Sequence, residues 1–309
     1  MRFLVTGGCG FIGAHLCAAL VSAGHAVVVL DDLSTGARER LAEGALLRIG
    51  KAQDPEAVRA AMVEVDGCFH LAALASVAPE REDWLGTHAA NQTATIAVLD
   101  AARTAKRGRP VPVVYASSAA VYGEAGADPL PETAPTRPLT AYGADKLGGE
   151  QHARVAWTVH GVPTAGLRLF NIYGAGQNPA SPYAGVIALF LERLRRGEPV
   201  TVFGDGRQTR DFVHVGDVVR ALLAAMDEPR GARLFNVCSG RATSILDLAR
   251  LTGELLGRTA RIEFAAARRG DVGLSCGDPR LAARALGFVA TTGLREGLAL
   301  TAGDHSDTP

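Results

Sequence analysis

The segment AYGADK places Tyr142 four residues before Lys146, so on a helix the two side chains would share one face. A tyrosine with its ordinary pKa of about 10 is a weak base at neutral pH, but a nearby ammonium group favours the phenolate. Ser118 ends the upstream run VVYASS and offers a hydroxyl that could hydrogen-bond to a reacting oxygen. The three residues together predict proton transfer with a substrate hydroxyl, whereas the pair alone would be an ordinary exposed turn of helix.

A glycine-rich segment, VTGGCGFIG, lies between a predicted strand over Arg2–Thr6 and a predicted helix over residues 11–23. Its glycines Gly7, Gly10 and Gly13 would permit a tight turn and a close approach of the backbone to a pyrophosphate. The start of the following helix would favour the phosphate charge. The spacing G-x-x-G-x-x-G therefore indicates a dinucleotide site, although by itself it is also compatible with a glycine-rich turn that binds nothing.

Asp31 ends a second predicted strand, over residues 26–30, at about the 20-residue offset expected for a ribose-binding acid. A carboxylate here would accept a hydrogen bond from a ribose 2′-hydroxyl and would repel a 2′-phosphate, which favours NAD over NADP. Ser34, Thr35 and Gly36 follow as suitable neighbours of an adenosine. The alternative role for Asp31 is a turn or helix cap.

Strands and helices alternate in the first half of the chain, with further strands predicted over residues 68–72 and 111–116. This alternation predicts an α/β fold, a Rossmann-type doubly wound parallel sheet with helices on both faces. After about Asn171 the chain is rich in Gly, Pro, Ser and Asn, which indicates a loop leading into a smaller α/β substrate-binding lobe. The elements predicted beyond this loop are helices over 186–196 and 217–226 and strands over 200–203 and 234–237.

The composition limits the class of protein. The 309 residues carry a formal net charge of +0, which gives no electrostatic footprint for nucleic acid, and no apolar run is long enough to span a membrane. The five cysteines form no metal-ligand pattern, so we interpret them as reduced thiols and expect no metal. The first apolar run leads directly into the glycine motif, without room for a cleavable leader, so a cytoplasmic protein is expected.

The motifs extend along nearly the whole chain, from VTGGCGFIG through DDLSTG, HLAALASV, ASSAAVYG, YGADK and RLFNIYG to GDGRQTRDFVHVGDV and RRGDV. Together they resemble those of an extended short-chain dehydrogenase/reductase, most closely the UDP-glucose (UDP-galactose) 4-epimerase group. The resemblance implies an enzyme with tightly bound NAD, and a homodimer formed through two helices per subunit, one of them carrying Tyr142 and Lys146. The implied organisation is a NAD-binding domain over 1–171 with segments returning from about 205–240, a nucleotide-sugar lobe over 172–300 and a polar tail over 301–309.

The resemblance implies a catalytic triad and a set of NAD-binding residues. The triad is Ser118, Tyr142 and Lys146. In GKAQD, Lys51 stands where the family motif GDxxD has an acid that contacts adenine, so the backbone of Ala52 would supply the remaining contact. The implied NAD-binding residues are Gly7, Gly10, Phe11, Ile12, Asp31, Asp32, Ser34, Thr35, Gly36, Ala52, Leu71, Ala72, Ala73, Asn91, Tyr142, Lys146 and Phe170.

The resemblance also implies a UDP-sugar site in the second lobe. Arg210 and Arg268 match arginines that pair with the diphosphate, a role suited to the planar and permanently charged guanidinium group. The other implied contacts are the phosphate-side amide Asn171, the uracil-strand residues Thr201 and Phe203, the ribose contact Asp271, and Ser118, Val186, Phe212, Ile245 and Ser275.

The residues after the catalytic serine separate the reactions of this superfamily. Its dehydratases and decarboxylases carry carboxylates there, whereas this chain has Ala119 and Ala120. The implied reaction is C4 epimerisation through a transient 4-keto sugar, in which Tyr142 takes the C4 hydroxyl proton, NAD⁺ accepts the C4 hydride and the hydride returns to the other face. The alternatives are another epimerase or a reductase of the same family, and a non-catalytic NAD-binding sensor, although such sensors usually lose the tyrosine or the lysine.

The sugar is indicated by a few positions. Ser275 stands where enzymes confined to glucose and galactose have a bulky tyrosine, so a C2 acetamido group would have room. Enzymes that act on glucuronate carry Thr and Arg at the positions of Asn171 and Asn178. The resemblance therefore favours a neutral UDP-hexose, UDP-glucose/UDP-galactose with UDP-GlcNAc/UDP-GalNAc also admitted, and leaves a UDP-glucuronate 4-epimerase as the alternative.

Overall fold

The structure is a computed structural model that describes residues 1–74, 83–124, 126, 129–181, 184–227, 230–267 and 272–303. The strands are, in chain order, β1 (Arg2–Thr6), β2 (Ala26–Asp31), β3 (Leu46–Ile49), β4 (Gly67–His70), β5 (Val113–Ser118), β6 (Thr164–Leu169), β7 (Asn171–Tyr173), β8 (Val200–Phe203), β9 (Thr209–His214), β10 (Ala232–Val237), β11 (Ala242–Ser244) and β12 (Ile262–Ala265). The helices are α1 (Phe11–Ser22), α2 (Pro55–Met62), α3 (Trp84–His88), α4 (Ala94–Ala102), α5 (Ala141–His160), α6 (Val186–Arg195), α7 (Val215–Asp227), α8 (Ile245–Leu255), α9 (Arg280–Leu286) and α10 (Leu294–Gly303).

The largest element is a seven-stranded sheet in the order β10-β6-β5-β4-β1-β2-β3. Every neighbouring pair of its strands runs parallel. The chain places β2 and β3 on one side of β1 and then crosses to β4 on the other side, so the strand order reverses at β1. In such sheets ligands bind at this reversal, beyond the carboxyl ends of the strands. The predicted Rossmann-type fold is confirmed.

Strands β1 and β2 contain continuous apolar runs, over residues 3–5 and 26–30, because helices cover both faces of the sheet. In β1, Leu4 and Val5 point to opposite faces, and both are fully buried. The face that contains Val5 packs against α1 and α7, whereas the face that contains Leu4 packs against α2, α4 and α5. The carboxyl ends of β1, β4 and β5 are thereby held at one rigid edge.

A smaller lobe contains two short sheets, β11-β9-β7 and β12-β8. β7 runs parallel to β9, β9 runs antiparallel to β11, and β8 runs parallel to β12. Helices α6, α8 and α10 share an apolar cluster with these strands, including Phe190, Leu248 and Leu298. Because β7 begins two residues after β6 ends, this lobe continues from the carboxyl edge of the large sheet.

Candidate active site

The turn between β1 and α1 requires glycine at two positions, Gly7 and Gly13. A Cβ atom on Gly7 would lie 2.7 Å from the backbone nitrogen of Ala72, and one on Gly13 would lie 2.1 Å from the carbonyl oxygen of Gly7. Gly7 also has a φ of 71°, which residues with a Cβ atom rarely adopt. The tight turn therefore packs directly against the backbone that follows β4.

The backbone N–H groups at the start of α1 have no side-chain cap. Its N-cap, Gly10, contributes no side-chain hydrogen bond, and its first turn, which includes Phe11 and Ile12, carries no acidic residue. By contrast, the N-termini of α2, α5 and α8 are each capped by a side chain, from Asp54, Thr140 and Ser244. The backbone N–H groups at the start of α1 thus remain available, together with the positive end of the helix dipole, for a phosphate group.

Asp31 lies at the end of β2, next to the same turn. The residue is 8% exposed, and its carboxylate accepts hydrogen bonds from the backbone nitrogens of Cys9, at 2.9 Å, and Leu33, at 2.8 Å. Two bonds leave lone pairs on both oxygens, so a ribose hydroxyl could still donate to this carboxylate. Asp32 accepts from the backbone and the hydroxyl of Ser34, which shapes the exposed rim of the site.

The other predicted adenosine-side residues lie around this rim. Thr35 is exposed, while Gly36 packs against Cys9 so closely that a Cβ atom would lie 2.8 Å from its carbonyl carbon. Ala52 is buried beyond β3, and Lys51 beside it is exposed. The backbone of Ala52, which is expected to contact adenine, therefore lies next to the solvent-exposed side chain of Lys51.

The chain leaving β4 runs alongside the glycine turn and is held by Asn91. Leu71 donates from its backbone nitrogen to the carbonyl oxygen of Thr6 at 3.1 Å, and Ala72 and Ala73 follow. Asn91, almost fully buried in a π-helical turn over Ala89–Thr93, exchanges two hydrogen bonds with the backbone of Leu74, at 2.8 and 3.1 Å. The Asn91 side chain thus fixes the path of the strand exit.

Ser118, Tyr142 and Lys146 meet where β5 ends and α5 begins. Thr140 caps α5 by accepting from the backbone of Gly143, which fixes the helix start at Ala141, one residue before Tyr142. The Lys146 ammonium donates to the carbonyl oxygen of Ala116 at 2.9 Å and lies 5.7 Å from the centroid of the Tyr142 ring. The Ser118 hydroxyl lies close enough to the Tyr142 phenol to lower the pKa of that phenol. The structure therefore brings the three predicted catalytic residues into one cluster.

Burial controls the charges of this cluster. Desolvation raises the pKa of Tyr142, and the nearby Ser118 hydroxyl partly offsets that effect. Desolvation also lowers the pKa of Lys146 to about 8, with the negative charge of Asp145 acting in the opposite direction. At neutral pH the site thus holds the positive charge of Lys146 beside the Tyr142 phenol, and this charge favours the phenolate form that can accept a proton from a substrate hydroxyl.

In the smaller lobe, Arg210 is held in place by backbone acceptors. Its Nη1 donates to the carbonyl oxygens of Thr209 and Val272, each at 2.7 Å. Val272 directly follows the segment that contains Arg268 and Asp271, and these two predicted contacts lie outside the described residues. The Arg210 side chain is therefore anchored to the backbone of Val272, just after the segment that contains Arg268, the second arginine predicted to pair with the diphosphate.

A pocket of about 490 Å³ lies beside β8. Phe203 lines it together with Gln208 and Leu274, and Ser275 follows Leu274 as a partly buried residue. Thr201 lies two residues before Phe203, on the same face of the strand. The pocket is large enough to admit a nucleotide base.

The remaining predicted substrate and cofactor contacts are spread over two regions. Phe212 and Ile245 are buried in the apolar core of the smaller lobe, and Val186, at the start of α6, packs against it. Phe170 is buried beyond β6, and Asn171 is exposed at the start of β7. Phe212 and Ile245 thus pack in a core, whereas Asn171 is open to contact with a ligand.

The amino-acid sequence matches the NAD dependent epimerase/dehydratase family over residues 3–238, more than half of the chain. The chain belongs to this family. The predicted resemblance and the predicted nature of the protein as an enzyme of this family are thereby confirmed. Within the described residues, no cluster of His, Cys, Asp and Glu could hold a metal ion, and no helix is long and apolar enough to cross a membrane.

Several relatives are similar over almost their whole length. A UDP-glucose 4-epimerase of Mycolicibacterium smegmatis is 36% identical over 97% of both chains. The crystal structure of a Thermotoga maritima UDP-glucose 4-epimerase with UDP-glucose is 35% identical, with a TM-score of 0.93 over 98% of this chain and 97% of that chain. The structures of MoeE5 with NAD and either UDP-glucose or UDP-glucuronic acid are 36% identical, with TM-scores of 0.87 over 98% of this chain and 97 to 98% of theirs.

The family membership confirms NAD as the predicted cofactor, and this chain's own residues fit it. The uncapped start of α1 offers backbone donors for the pyrophosphate, and the glycine turn lets that group approach. Asp31 offers a carboxylate for the ribose hydroxyl. The residues that would hold the cofactor therefore come from β1, α1, β2 and the strand exit after β4.

His70 was missed as a site residue when the sequence was interpreted alone. Its Nδ1 hydrogen-bonds with the Thr6 hydroxyl at 2.7 Å, and its Nε2 with the Thr95 hydroxyl at 3.1 Å. Since Thr95 donates to the carbonyl oxygen of Asn91, it must accept from His70, so the proton lies on Nε2. Burial, with a contribution from Lys146, lowers the pKa of His70 to about 3 and keeps the ring neutral. A polar residue directly after the apolar run GCF was the available signal.

Proposed function

We propose that the protein catalyses the NAD-dependent C4 epimerisation of a UDP-hexose through a transient 4-keto sugar. The observation that carries this proposal is the cluster of Ser118, Tyr142 and Lys146 at the carboxyl edge of the sheet, beside the turn that fits a dinucleotide. Family membership supports the reaction class, and the relatives named UDP-glucose 4-epimerase support the substrate class.

Each member of the cluster has one role in the proposed reaction. Tyr142 removes the proton from the C4 hydroxyl, and Lys146, still charged at neutral pH, stabilises the phenolate that prepares this step. The Ser118 hydroxyl hydrogen-bonds to the sugar oxygen and orients it. Bound NAD supplies the acceptor and donor of hydride at C4. After the sugar has turned over, Tyr142 returns its proton as the opposite face of C4 is reduced.

The turn that follows Ser118 favours epimerisation over elimination or decarboxylation. The short 3-10 turn over Ala119–Val121 begins at Ser118, whose hydroxyl accepts from the backbone of Ala120 at 3.1 Å. Its first two side chains are methyl groups, so neither provides a second acid or base beside the sugar. A reaction that needs only one base and a returning hydride fits these residues.

We propose a neutral UDP-sugar as substrate. Arg210 and Arg268 would pair with the diphosphate, and Thr201 and Phe203 would contact the uracil at the pocket beside β8. Ser275 would leave room for an N-acetyl group, so UDP-GlcNAc is included. The Asn178 side chain accepts from the backbone of Ala180 at 2.9 Å, so this oxygen is already engaged in a local turn.

The second candidate is epimerisation of UDP-glucuronate. The structure of MoeE5 with UDP-glucuronic acid supports it, because that protein is 36% identical to this chain. A non-catalytic NAD-binding sensor would not require Ser118, Tyr142 and Lys146 to remain together, so their cluster counts against that function.

We propose a homodimer formed through α4 and α5, the two helices that cover one face of the sheet next to the cluster. The two helices pack against each other, and each leaves an apolar side chain exposed, Ile96 on α4 and Val159 on α5. An unpaired apolar face of this kind fits a second copy of the chain. The cytoplasmic location predicted from the sequence stays a prediction.

The test is direct. The purified protein, without added cofactor, is incubated separately with UDP-glucose, UDP-N-acetylglucosamine and UDP-glucuronate, and C4 configuration is followed by proton NMR. We expect conversion of the neutral sugars and a loss of about 100-fold or more in the Tyr142→Phe variant. Tyr173→Phe is the matched control, because Tyr173 is a fully buried tyrosine that belongs to the apolar cluster of the smaller lobe rather than to the face covered by α5.

The outcomes separate the candidates. Conversion of UDP-glucuronate alone would replace the substrate class and keep the mechanism. No conversion of any sugar, with NAD supplied in excess, would overturn the proposed reaction. Full activity in Tyr142→Phe would overturn the assignment of the base.

A further inference from the structure

Each of the last three residues of β5 lies against a different residue of α5. The carbonyl oxygen of Ala116 accepts from Lys146 at 2.9 Å, and the Ser118 hydroxyl lies beside the Tyr142 phenol and lowers its pKa. Between them, the Ser117 hydroxyl donates to the Glu150 carboxylate at 2.6 Å. The helix residues are spaced by four, so one face of α5 lies against three consecutive residues of the strand, and hydrogen bonds fasten it at Ala116 and Ser117.

Glu150 is the best-anchored of the three helix residues. Its two carboxylate oxygens accept from Nε and Nη2 of Arg168 at 2.8 and 2.7 Å, a bidentate pair whose side chains are 2% and 4% exposed. Arg168 lies on β6, directly opposite Ser117 in the strand register. The carboxylate therefore joins α5 to both β5 and β6.

This carboxylate resists movement of the helix. A buried carboxylate is stable only while its charge and hydrogen bonds remain matched, and bidentate bonds to a guanidinium group fix its direction as well as its distance. A slip of α5 by one residue, about 1.5 Å along its axis, would break all three bonds at Glu150. The same slip would separate Tyr142 from Ser118 and Lys146 from Ala116.

We infer that Ser117 and Glu150 are positioning residues that set the spacing between Ser118 and Tyr142. This inference rests on the proposed function for its kinetic part, since Tyr142 acts there as the base. Neither residue is assigned a contact with substrate or cofactor; both act through the register of α5 against β5. Arg168 supports them by holding the Glu150 carboxylate.

The first variant is Ser117→Ala. It removes the bond between strand and helix but leaves the Glu150–Arg168 pair intact, so no buried charge loses its partner. We expect kcat to fall about 10-fold or more with KM nearly unchanged, because the misplacement affects the reacting atoms rather than UDP binding. The matched control is Thr252→Val, which removes another fully buried hydroxyl, bonded to Leu248 in the smaller lobe, and should leave kcat unchanged.

A spectroscopic measurement tests the same inference without substrate. The phenolate absorbance of Tyr142 is obtained by subtracting the titration of Tyr142→Phe from that of the parent protein, each with NAD bound. A looser contact with Ser118 should raise the pKa of Tyr142 by about 0.5 units or more in Ser117→Ala. Among the described residues, the titratable groups next to this cluster include Lys146 and Asp145 on α5 and His88 on α3, whose Nδ1 lies 2.8 Å from Asp145, while burial keeps His70 neutral.

A second variant, Glu150→Asp, keeps the charge for Arg168 and withdraws the carboxylate from Ser117 by one carbon. It should shift kcat and the Tyr142 pKa in the same direction as Ser117→Ala. Unchanged kcat and an unchanged Tyr142 pKa in both variants would overturn the inference. If the parent protein converts no UDP-sugar, the proposed function fails, and the Tyr142 titration alone then supports or overturns the positioning role.

Discussion

Lys146 is a cation that the fold holds almost fully out of water. It is 5% exposed, with the carbonyl oxygen of Ala116 as a direct acceptor. Burial lowers its pKa to about 8, and the charge of Asp145 opposes that effect. The charge that prepares Tyr142 is therefore present at neutral pH, but the folded protein carries it at a cost in stability.

The buried charge of Lys146 makes the stability of the folded protein depend on pH. Because the pKa of Lys146 is lower in the folded than in the unfolded chain, the unfolded chain binds more protons between pH 8 and 10, and stability should rise with pH in that range. Between pH 7 and 9.5 this contribution should increase the free energy of unfolding by about 2 kcal/mol relative to Lys146→Met. Urea unfolding of both proteins without NAD, at the two pH values, measures it. If the free energy of unfolding of the parent protein relative to Lys146→Met stays constant or falls from pH 7 to 9.5, burial does not lower the pKa of Lys146.

At the scale of elements, the first strand–helix–strand unit was predicted almost to the residue. The predicted helix over 11–23 is observed as Phe11–Ser22, and the predicted strand over 26–30 as Ala26–Asp31. Local signals suffice there, because the apolar runs are uninterrupted and Gly24, with a φ of 78°, ends the helix.

Other boundaries depended on contacts that the sequence does not display. The strand predicted over 111–116 is observed as Val113–Ser118, since Pro112 lacks an N–H and Val113 donates to Pro163 across the sheet. The strand predicted over 68–72 ends at His70, because the backbone of Ala72 turns to the Thr6 hydroxyl. Such ends are set by tertiary hydrogen bonds rather than by local propensity.

The same limit applies to the candidate site. Motif spacing identified the cluster of Ser118, Tyr142 and Lys146, because two of the residues lie one helical turn apart. Their supports were not predicted, since Glu150 meets Ser117 across 33 positions of sequence and His70 meets Thr6 across 64. Residue types alone do not specify partners at such distances.

His70 connects three elements through one chain of hydrogen bonds. Thr6 ends β1, His70 ends β4, and Thr95 lies on α4, where it donates to Asn91 at 2.6 Å. The Thr6 hydroxyl also accepts from the backbone of Ala72, beside the glycine turn. Loss of the His70 hydrogen bonds should therefore disturb Thr6 and the backbone of Ala72 at the predicted cofactor site.

We predict that His70→Phe weakens both folding and retention of NAD. The change leaves two buried hydroxyl groups with one partner fewer, at about 1 to 3 kcal/mol for each such group, so the free energy of unfolding should fall by a few kcal/mol. Urea unfolding measures that loss, and the NAD content of the purified protein measures retention. His160→Phe, the same change at an exposed position, is the control. Full NAD content and wild-type stability would remove His70 from the support of the site.

At the scale of the whole molecule, one helical face is apolar and uncovered within the described chain. On α5, Val155 and Val159 are one turn apart and are 48% and 66% exposed. Ile96 on α4 and Leu85 on α3 are also exposed, and α5 packs against both of these helices. Since α5 also carries Tyr142 and Lys146, covering this face would rigidify the helix that holds the proposed base.

We predict that a double change, Val155→Lys with Val159→Lys, abolishes the proposed homodimer. Two ammonium groups on one turn would face their copies across a two-fold interface, where charges without partners are strongly unfavourable. Sedimentation equilibrium should give twice the chain mass of 32.1 kDa for the parent protein and the single mass for the variant. Ile49→Lys with Val289→Lys, at exposed apolar positions outside α3, α4 and α5, should remain dimeric. A parent protein of single mass, or a variant that stays dimeric, would show that α5 does not form the interface. Because α5 is fastened to β5 from within by Glu150, the monomeric variant should keep a measurable fraction of its activity and lose thermal stability first.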